Sequence, residues 1–171
     1  MAAEVMNKAG LGFATLDRIG VTVGPGSFTG LRVGLAFAKG LALALDRPCV
    51  GVGSLEALAS GVSGSGIRAA VIDAGRGRVF LQLFEGDTSI SAPDSLDIAT
   101  AAARLAELAQ TGDLTLTGPG AGLLTGVVSG ARVVDQPAPA PLVVARLAAR
   151  APVRPPRPLY LRAPDAKPKA A

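Results

Sequence analysis

A glycine-rich loop between a short β-branched strand and a long apolar helix is the feature that most constrains the fold of this chain. Its residues are Gly24, Pro25, Gly26, Ser27, Phe28, Thr29 and Gly30. Glycine has no Cβ, so its backbone can approach other groups closely, whereas Pro25 restricts φ and makes the loop rigid. The hydroxyl of Ser27 or Thr29 can cap the following helix. The partial positive charge at the start of that helix would suit an anion.

Two well-known phosphate-binding loops do not fit this passage. A Walker-type loop needs Lys followed by Ser or Thr after its last glycine, whereas Gly30 is followed by Leu31 and Arg32. A dinucleotide loop fits only with a loosened spacing, and no acidic residue ends the next strand at Gly53. The spacing favours a tight strand-to-helix turn over a dinucleotide site.

The amino-acid composition excludes several kinds of active site, whereas the length of the chain excludes few. The 171 residues are 49% hydrophobic, which is enough to bury a core in one domain or in two small lobes. Histidine is absent, which excludes Ser-His-Asp and Cys-His catalysis and histidine-dependent zinc sites. We predict no catalytic residue, no metal site and no cofactor. Four carboxylates near turns are expected to be solvated surface: Glu85, Asp87, Asp94 and Asp97.

Several features indicate a cytoplasmic protein without membrane contact. The most apolar stretch, 33–45, is interrupted by Lys39 and is shorter than the roughly 20 residues that cross a bilayer. The N-terminus lacks a basic leader and a cleavage pattern. The single cysteine, Cys49, excludes an internal disulfide and fits a reducing compartment.

The charge is concentrated at the carboxy-terminal end. Residues 146–171 hold seven Lys or Arg and one acid, giving +6, whereas the first 145 residues hold ten basic and twelve acidic residues, giving −2. The segment 151–171 is also rich in proline and should be extended. We expect it to be a solvated segment held across the domain by Leu159 and Leu161. The alternative is a weak, salt-sensitive contact with RNA phosphates.

The apolar periodicity and the turn residues predict two lobes of alternating strands and helices. The first lobe covers residues 1–62, the second covers 67–150, and the basic tail is 151–171. The strand–helix–strand unit of the first lobe should be parallel, and a Gly/Ser linker follows at 61–66. The predicted helices are 2–9, 29–45, 55–60, 98–109, 142–150 and a short one near Pro119; the predicted strands are 18–23, 49–53, 68–73, 78–85, 88–91 and 114–117.

Several segments together resemble the bacterial TsaB (YeaZ) family, which takes part in making N6-threonylcarbamoyladenosine in tRNA. The strongest is Gly-Pro-Gly-Ser-Phe-Thr-Gly-Leu-Arg-Val-Gly-Leu-Ala at 24–36, followed by 38–42 and 48–59. Residues 71–80 resemble the family's Asp-Ala-Arg-x-Gly-x-x-Tyr segment, and 118–121 and 158–162 fit as well. The resemblance covers roughly 1–166.

The resemblance implies the α/β fold of actin, hexokinase and Hsp70, which has duplicated βββαβα lobes. The second half of the chain follows that order, and the first half reads as the same plan without its opening three strands. We therefore expect an N-terminally truncated first lobe.

In nucleotide-using members of that fold, Asp-containing hairpins hold the phosphates. By resemblance, Asp73 and Gly75 would belong to the second hairpin, and Gly118 and Gly120 to an adenosine contact. One carboxylate without a partner is a poor magnesium site, so a β-turn around Asp73 is favoured. We predict that these four residues form a degenerate nucleotide site.

The long helix carries small residues at every fourth position, which would let another helix approach closely. The family uses its first two helices to pair with itself or with the catalytic paralogue TsaD. The resemblance and the spacing give the predicted interface: Val5, Met6, Gly30, Arg32, Gly34, Leu35, Ala38, Lys39 and Ala42. The alternative is that the chain's own sheet and first helix cover this strip.

The resemblance implies a non-catalytic scaffold that binds and stabilises TsaD, with the ATPase TsaE joining the assembly. The loop from Gly24 to Thr29 would fix the interface helix rather than perform chemistry. A homodimer is the alternative use of the same helices. The alternatives are a nucleotide-dependent phosphotransferase or peptidase of the same fold, and an RNA-binding protein that uses the basic tail.

Overall fold

A computed structural model of the chain describes residues 2–162. Five α-helices and eight strands lie in this part, together with the short 3-10 helices Phe13–Thr15 and Ala121–Leu124. The α-helices are α1 (Ala2–Ala9), α2 (Phe28–Leu45), α3 (Ser54–Ser60), α4 (Ile98–Thr111) and α5 (Pro141–Arg150). The strands are β1 (Ile19–Gly24), β2 (Cys49–Gly53), β3 (Ile67–Gly75), β4 (Arg78–Glu85), β5 (Thr88–Ser89), β6 (Asp94–Asp97), β7 (Leu114–Thr117) and β8 (Arg132–Val134).

The first lobe contains a two-stranded parallel sheet in which β1 pairs with β2, and α2 connects the two strands. The predicted parallel strand–helix–strand unit is therefore confirmed. Val21 of β1 packs with Leu35 and Ala38 of α2 in a small buried cluster. This packing places the start of α2 directly at the carboxyl end of β1.

The second lobe contains a six-stranded mixed sheet, in the order β5-β4-β3-β7-β8, with β6 paired to β4. The predicted hairpin of β3 and β4 is antiparallel, and β7 runs parallel to β3. The main core lies between this sheet and α4, where Leu81, Leu105 and Leu116 are almost fully buried.

Two strands of the second lobe, β6 and β8, were not predicted from the sequence. Asp94 and Asp97 are the first and last residues of β6, and both are exposed, as the sequence predicted for these carboxylates. Asp97 also caps α4, because its carboxylate accepts a hydrogen bond from the backbone N–H of Thr100 at 2.8 Å. Both unpredicted strands are short and depend on pairing with a longer neighbour.

Helix α5 packs on the first lobe, although the sequence assigned it to the second. Ala148 lies in a cluster with Val50 and Val52 of β2, and Val144 and Leu147 pack beside it. The side chain of Arg18 donates to the carbonyl of Ala148 at 2.8 Å and binds the end of this helix. The physical reason is that the two-stranded sheet has an apolar face that the apolar side of α5 covers.

The segment 151–162, here called the strap, lies in extended form across both lobes. The backbone N–H of Leu159 donates to the carbonyl of Val23 at 2.7 Å, and Leu161 packs against the cluster that contains Phe80. The side chain of Arg162 donates to the carbonyl of Ala74 at 3.0 Å. The predicted attachment through Leu159 and Leu161 is therefore confirmed. Residues 163–171 of the predicted tail lie outside the described residues.

Helix α2 is long and apolar enough, by length and composition, to cross a membrane, with 18 residues and a mean hydropathy of 1.4. The predicted apolar stretch 33–45 forms the carboxy-terminal part of this longer helix. Length and composition are weak evidence of a span, because core helices and signal sequences pass the same test. One side of α2 packs against β1 of its own lobe.

Candidate partner-binding face and glycine loops

The loop at the carboxyl end of β1 is built as a tight turn into α2. Gly24 has a φ of 107°, which glycine adopts without strain, and the Gly24–Pro25 peptide bond is cis. The hydroxyl of Ser27 caps α2 by accepting from the backbone N–H of Gly30 at 3.3 Å. Thr29, the other candidate cap, is exposed in the first turn of α2. The predicted rigid strand-to-helix turn is present.

A close approach by the strap explains the glycine at position 24. A Cβ built on Gly24 would lie 2.7 Å from the carbonyl oxygen of Leu159, whereas a Cβ on Gly26 would meet nothing within 4 Å. Gly24 is therefore required by packing within this chain, and Gly26 borders open space.

An aromatic–guanidinium cluster covers the start of α2. The Phe28 and Tyr160 rings have centroids 5.0 Å apart, and the guanidinium of Arg32 lies 3.8 Å from the centroid of the Phe28 ring. Arg32 also donates through Nε to the Tyr160 hydroxyl at 3.4 Å. Sequence reasoning missed the role of Tyr160, since Phe28 and Tyr160 are far apart in the chain and no local pattern links them.

The structure revises the predicted strip of small residues on α2. Leu35, Ala38 and Ala42 are only 5% exposed, and the first two pack against β1. They belong to the core of the first lobe and are not surface that a partner can reach. Gly34 is half-buried and Gly30 is exposed at the start of the helix. The alternative kept open from the sequence, that the chain's own sheet covers the strip, therefore holds for Leu35 and Ala38.

The open side of α2 carries large apolar side chains instead. Val33, Phe37 and Leu43 are 64%, 61% and 84% exposed, respectively. Arg32 and Lys39, two residues of the predicted interface, are also exposed on this helix. The face defined by Val33, Phe37 and Leu43 is here called the open face of α2.

Helix α1 contributes a second exposed apolar surface. None of its residues is buried, and Val5 is 63% exposed. Met6 is half-buried. Lys8 and Glu4 form an exposed ion pair at 3.0 Å along the helix. An eight-residue helix with so little burial is only marginally stable on its own. Contact with a partner would therefore stabilise α1.

The predicted nucleotide site of the second lobe is packed as a turn. The carboxylate of Asp73 accepts from the backbone N–H of Gly75 at 2.7 Å, and Gly75 has a φ of 71°. A Cβ on Gly120 would lie 2.7 Å from the backbone nitrogen of Asp73. The β3 backbone therefore fills the space beside the Gly120 loop. The predicted backbone bond to Asp73 is present, but Asp73 lies within β3 and the turn itself is at Arg76 and Gly77.

Gly118 occupies the same local position in the second lobe that Gly24 occupies in the first. It follows β7, precedes a Pro-Gly pair, and has a φ of 105°. A Cβ on it would clash with the carbonyl of Val71 in β3. Gly24 and Gly118 thus share a φ value, although the peptide bond after Gly24 is cis and the one after Gly118 is not. The strap packs against the first glycine and β3 against the second.

Apart from these features, the described residues offer few groups suited to metal binding or catalysis. No three His, Cys, Asp or Glu side chains within residues 2–162 are grouped as metal ligands. Burial raises the pKa of the Cys49 thiol above its ordinary value, although the positive charge of Lys39 opposes this shift. A raised pKa keeps the thiol protonated and weakly nucleophilic at neutral pH. A cleft of about 310 Å³ lies beside Glu56, Gln82 and Asp87, and another of about 430 Å³ lies beside Asp113 and Arg132.

Comparison with known proteins places the chain in a family. The family described as "TsaD: tRNA N6-adenosine threonylcarbamoyltransferase" matches residues 1–133, which is most of the chain. The chain belongs to this TsaD-related family, which includes TsaB (YeaZ). The tRNA threonylcarbamoyladenosine biosynthesis protein TsaB of Bacillus subtilis strain 168 is 40% identical to this chain over 83 residues. This similarity indicates a TsaB-type member of the family.

Matches to individual members of the TsaD-related family are partial. The B. subtilis TsaB match covers 48% of this chain and 36% of that protein. The tRNA N6-adenosine threonylcarbamoyltransferase of Gluconobacter oxydans strain 621H is 51% identical over 57 residues, covering 33% of this chain and 16% of that enzyme. The chain therefore aligns with 36% of the length of the first of these curated relatives and with 16% of the second.

A solved structure confirms the predicted fold class. YeaZ from Pseudomonas aeruginosa superposes with a TM-score of 0.76 at 26% identity, covering 94% of this chain and 82% of that one. The fold is therefore the α/β fold of the TsaB (YeaZ) family, as the glycine-loop motifs indicated.

Proposed function

We propose that this chain is a non-catalytic TsaB-type subunit that binds and stabilises a TsaD-type threonylcarbamoyltransferase. It would act in the cytoplasm, in the synthesis of N6-threonylcarbamoyladenosine in tRNA, with TsaE joining the assembly. In place of the predicted strip, the contact would be made by the open face of α2 together with Val5 and Met6 of α1. A second copy of the chain would compete for the same surface.

The exposed apolar side chains of α2 carry this proposal. Val33, Phe37 and Leu43 are each more than 60% exposed on an 18-residue helix. Large apolar side chains gathered on one exposed face mark interaction surfaces in soluble domains. Fully burying each would contribute about 1.5–3 kcal/mol to association before the costs of ordering. The exposed Arg32 and Lys39 would pair with acidic residues of the partner.

The chemistry of the chain supports a binding role over an enzymatic one. Histidine is absent from the sequence, and burial raises the pKa of the Cys49 thiol and makes it a poor nucleophile. Asp73 is engaged in its own turn with Gly75. The Ser27 hydroxyl is engaged in capping α2, which supports a structural role for the glycine loop.

The proposal is tested by capture of TsaD from the same genome with tagged full-length protein. Phe37→Glu and Leu43→Glu place a charge on the open face and should lower TsaD capture at least tenfold. Ile90→Glu is the matched control, because Ile90 is an exposed apolar residue of the second lobe, 45% exposed. Unchanged capture with both open-face variants would overturn the proposal.

A substitution at the neighbouring buried residue distinguishes an effect on partner binding from an effect on folding. Ala38 lies one position from Phe37 but is buried against β1. Ala38→Glu should therefore destabilise the protein itself, seen as a lowered urea midpoint, whereas Phe37→Glu should leave that midpoint nearly unchanged. If the two variants lost stability alike, the Phe37 side chain would be structural and the open face would not be free for a partner.

A further inference from the structure

We propose that α5 and the strap form a surface that binds the phosphate backbone of RNA, with Tyr160 stacking on an unpaired base. The inference rests on the proposed function, because a subunit of a tRNA-modifying assembly would meet RNA as the shared substrate. The RNA-contacting residues would be Arg146, Arg150, Arg154 and Arg157, here called the arginine row.

The arginine row is exposed and free of acidic neighbours in sequence. All four side chains are exposed, and residues 136–162 contain five arginines and no Asp or Glu. Within residues 2–162, no ion pair is formed by any member of the row. Unpaired guanidinium groups keep their full charge available, and they bind phosphate with good hydrogen-bond geometry.

The geometry of the segment supports one continuous surface. Arg146 and Arg150 lie one turn apart on the same side of α5, and the extended strap carries Arg154 and Arg157 onward. The strap is fixed at its far end, because the N–H of Leu159 bonds to Val23 at 2.7 Å. The row is therefore presented by ordered backbone, which lowers the entropic cost of binding.

The aromatic–guanidinium cluster at the end of the row favours RNA over other polyanions. Tyr160 is 40% exposed and packs on one side against Phe28, with Arg32 completing the cluster. Exposed aromatic rings beside basic residues stack unpaired bases in single-stranded nucleic acids, and RNA presents such bases in its loops. An anionic membrane offers the charge but no base to stack.

The test measures binding of a fluorescent, unmodified tRNA transcript to the full-length protein over a series of NaCl concentrations. Each phosphate contact adds about 0.7–0.9 to the slope of log affinity against log salt. The variant Arg154→Gln/Arg157→Gln should therefore lower the slope by about 1.4–1.8 and weaken binding throughout. The matched control, Arg104→Gln/Arg132→Gln, removes the same charge from exposed positions of the second lobe and should leave the slope unchanged.

A variant of Tyr160 tests the stacking contribution separately from the charge contribution to RNA binding. Tyr160→Leu should weaken RNA binding by about tenfold at every salt concentration without changing the slope, because it removes stacking and no charge. Equal slopes for the two double variants, no RNA binding by the parent, or equal binding to phosphatidylserine vesicles with the same variant pattern would each overturn the inference.

The RNA measurement contains no TsaD, so its result is separable from that of the capture experiment. Arg154→Gln/Arg157→Gln should capture TsaD as the parent does. Loss of TsaD capture by this variant would assign the row to the protein partner and overturn the inference. A failure of Phe37→Glu to affect capture would count against the proposed function alone.

Discussion

The backbone N–H of Leu159 donates to the carbonyl of Val23 at 2.7 Å, and this bond joins the strap to the end of β1. The carbonyl of Leu159 in turn lies 2.7 Å from where a Cβ of Gly24 would be. The strap therefore contacts the glycine loop through backbone atoms on both sides of one residue. The start of α2 and the position of Phe28 depend on a segment near the other end of the chain.

This relationship predicts that replacing the donor will loosen the strap. Leu159→Pro removes the N–H, and Leu159→Ala removes most of the side chain but keeps the N–H. The proline variant should be about 1–1.5 kcal/mol less stable than the alanine variant, which is the net value of one hydrogen bond. The measurement is the free energy of unfolding in urea. Equal stability of the two variants would mean that the bond contributes nothing.

The glycines that begin the two loops have similar φ values but different neighbours. Gly24 and Gly118 both end a strand with a φ near 105–107°, and each faces a carbonyl, that of Leu159 in the first lobe and that of Val71 in the second. The strap thus holds the place beside β1 that β3 holds beside β7. This explains why residues 151–162 belong to the folded unit rather than to a solvated tail.

The same packing predicts different costs for two neighbouring glycines. A Cβ on Gly120 would lie 2.7 Å from the nitrogen of Asp73, whereas a Cβ on Gly122 would meet nothing within 4 Å. Gly120→Ala should therefore lose about 2–3 kcal/mol of stability, as expected for overpacking against a backbone that cannot rotate away. Gly122→Ala should change stability by less than about 1 kcal/mol. Thermal unfolding of both variants checks this, and equal costs would contradict the close approach of β3.

Elements with a strong internal pattern could be predicted from the sequence. The run Cys49–Gly53 and the run Leu114–Thr117 have the predicted bounds, and the antiparallel hairpin was readable from two apolar runs around a glycine turn. Strands β6 and β8 have only four and three residues. Their conformation comes from pairing with β4 and β7, so their own sequence carried no adequate signal.

The candidate site was predictable only in outline. The spacing of Ala38 and Ala42 showed that they share one side of α2, but spacing does not reveal whether that side faces a sheet or a partner. The open face of α2 could be identified only from the structure, in which β1 covers the other side of the helix. The contact between Phe28 and Tyr160 depends on tertiary packing of the strap, so no local periodicity in the sequence predicts it.

The cap of α4 predicts a specific acid sensitivity. The pKa of Asp97 lies below its ordinary value of 3.8, first because the backbone N–H of Thr100 donates to its carboxylate and also because the Thr100 hydroxyl donates. A carboxyl with a lowered folded-state pKa contributes stability above its unfolded-state pKa, and that contribution is lost as the pH falls through the folded-state pKa. The stability gap between the parent and Asp97→Asn should therefore shrink from about pH 5 downwards, because asparagine caps without titrating.

A second substitution separates the two causes of this pKa shift. Thr100→Ala removes the hydroxyl donor but keeps the backbone N–H, so the remaining carboxylate should show a weaker pH dependence than the parent. Urea midpoints of the parent, Asp97→Asn and Thr100→Ala at a series of pH values provide the measurement. A gap between the parent and Asp97→Asn that stays constant across the series would show that the carboxylate is not held in its ionised form by Thr100.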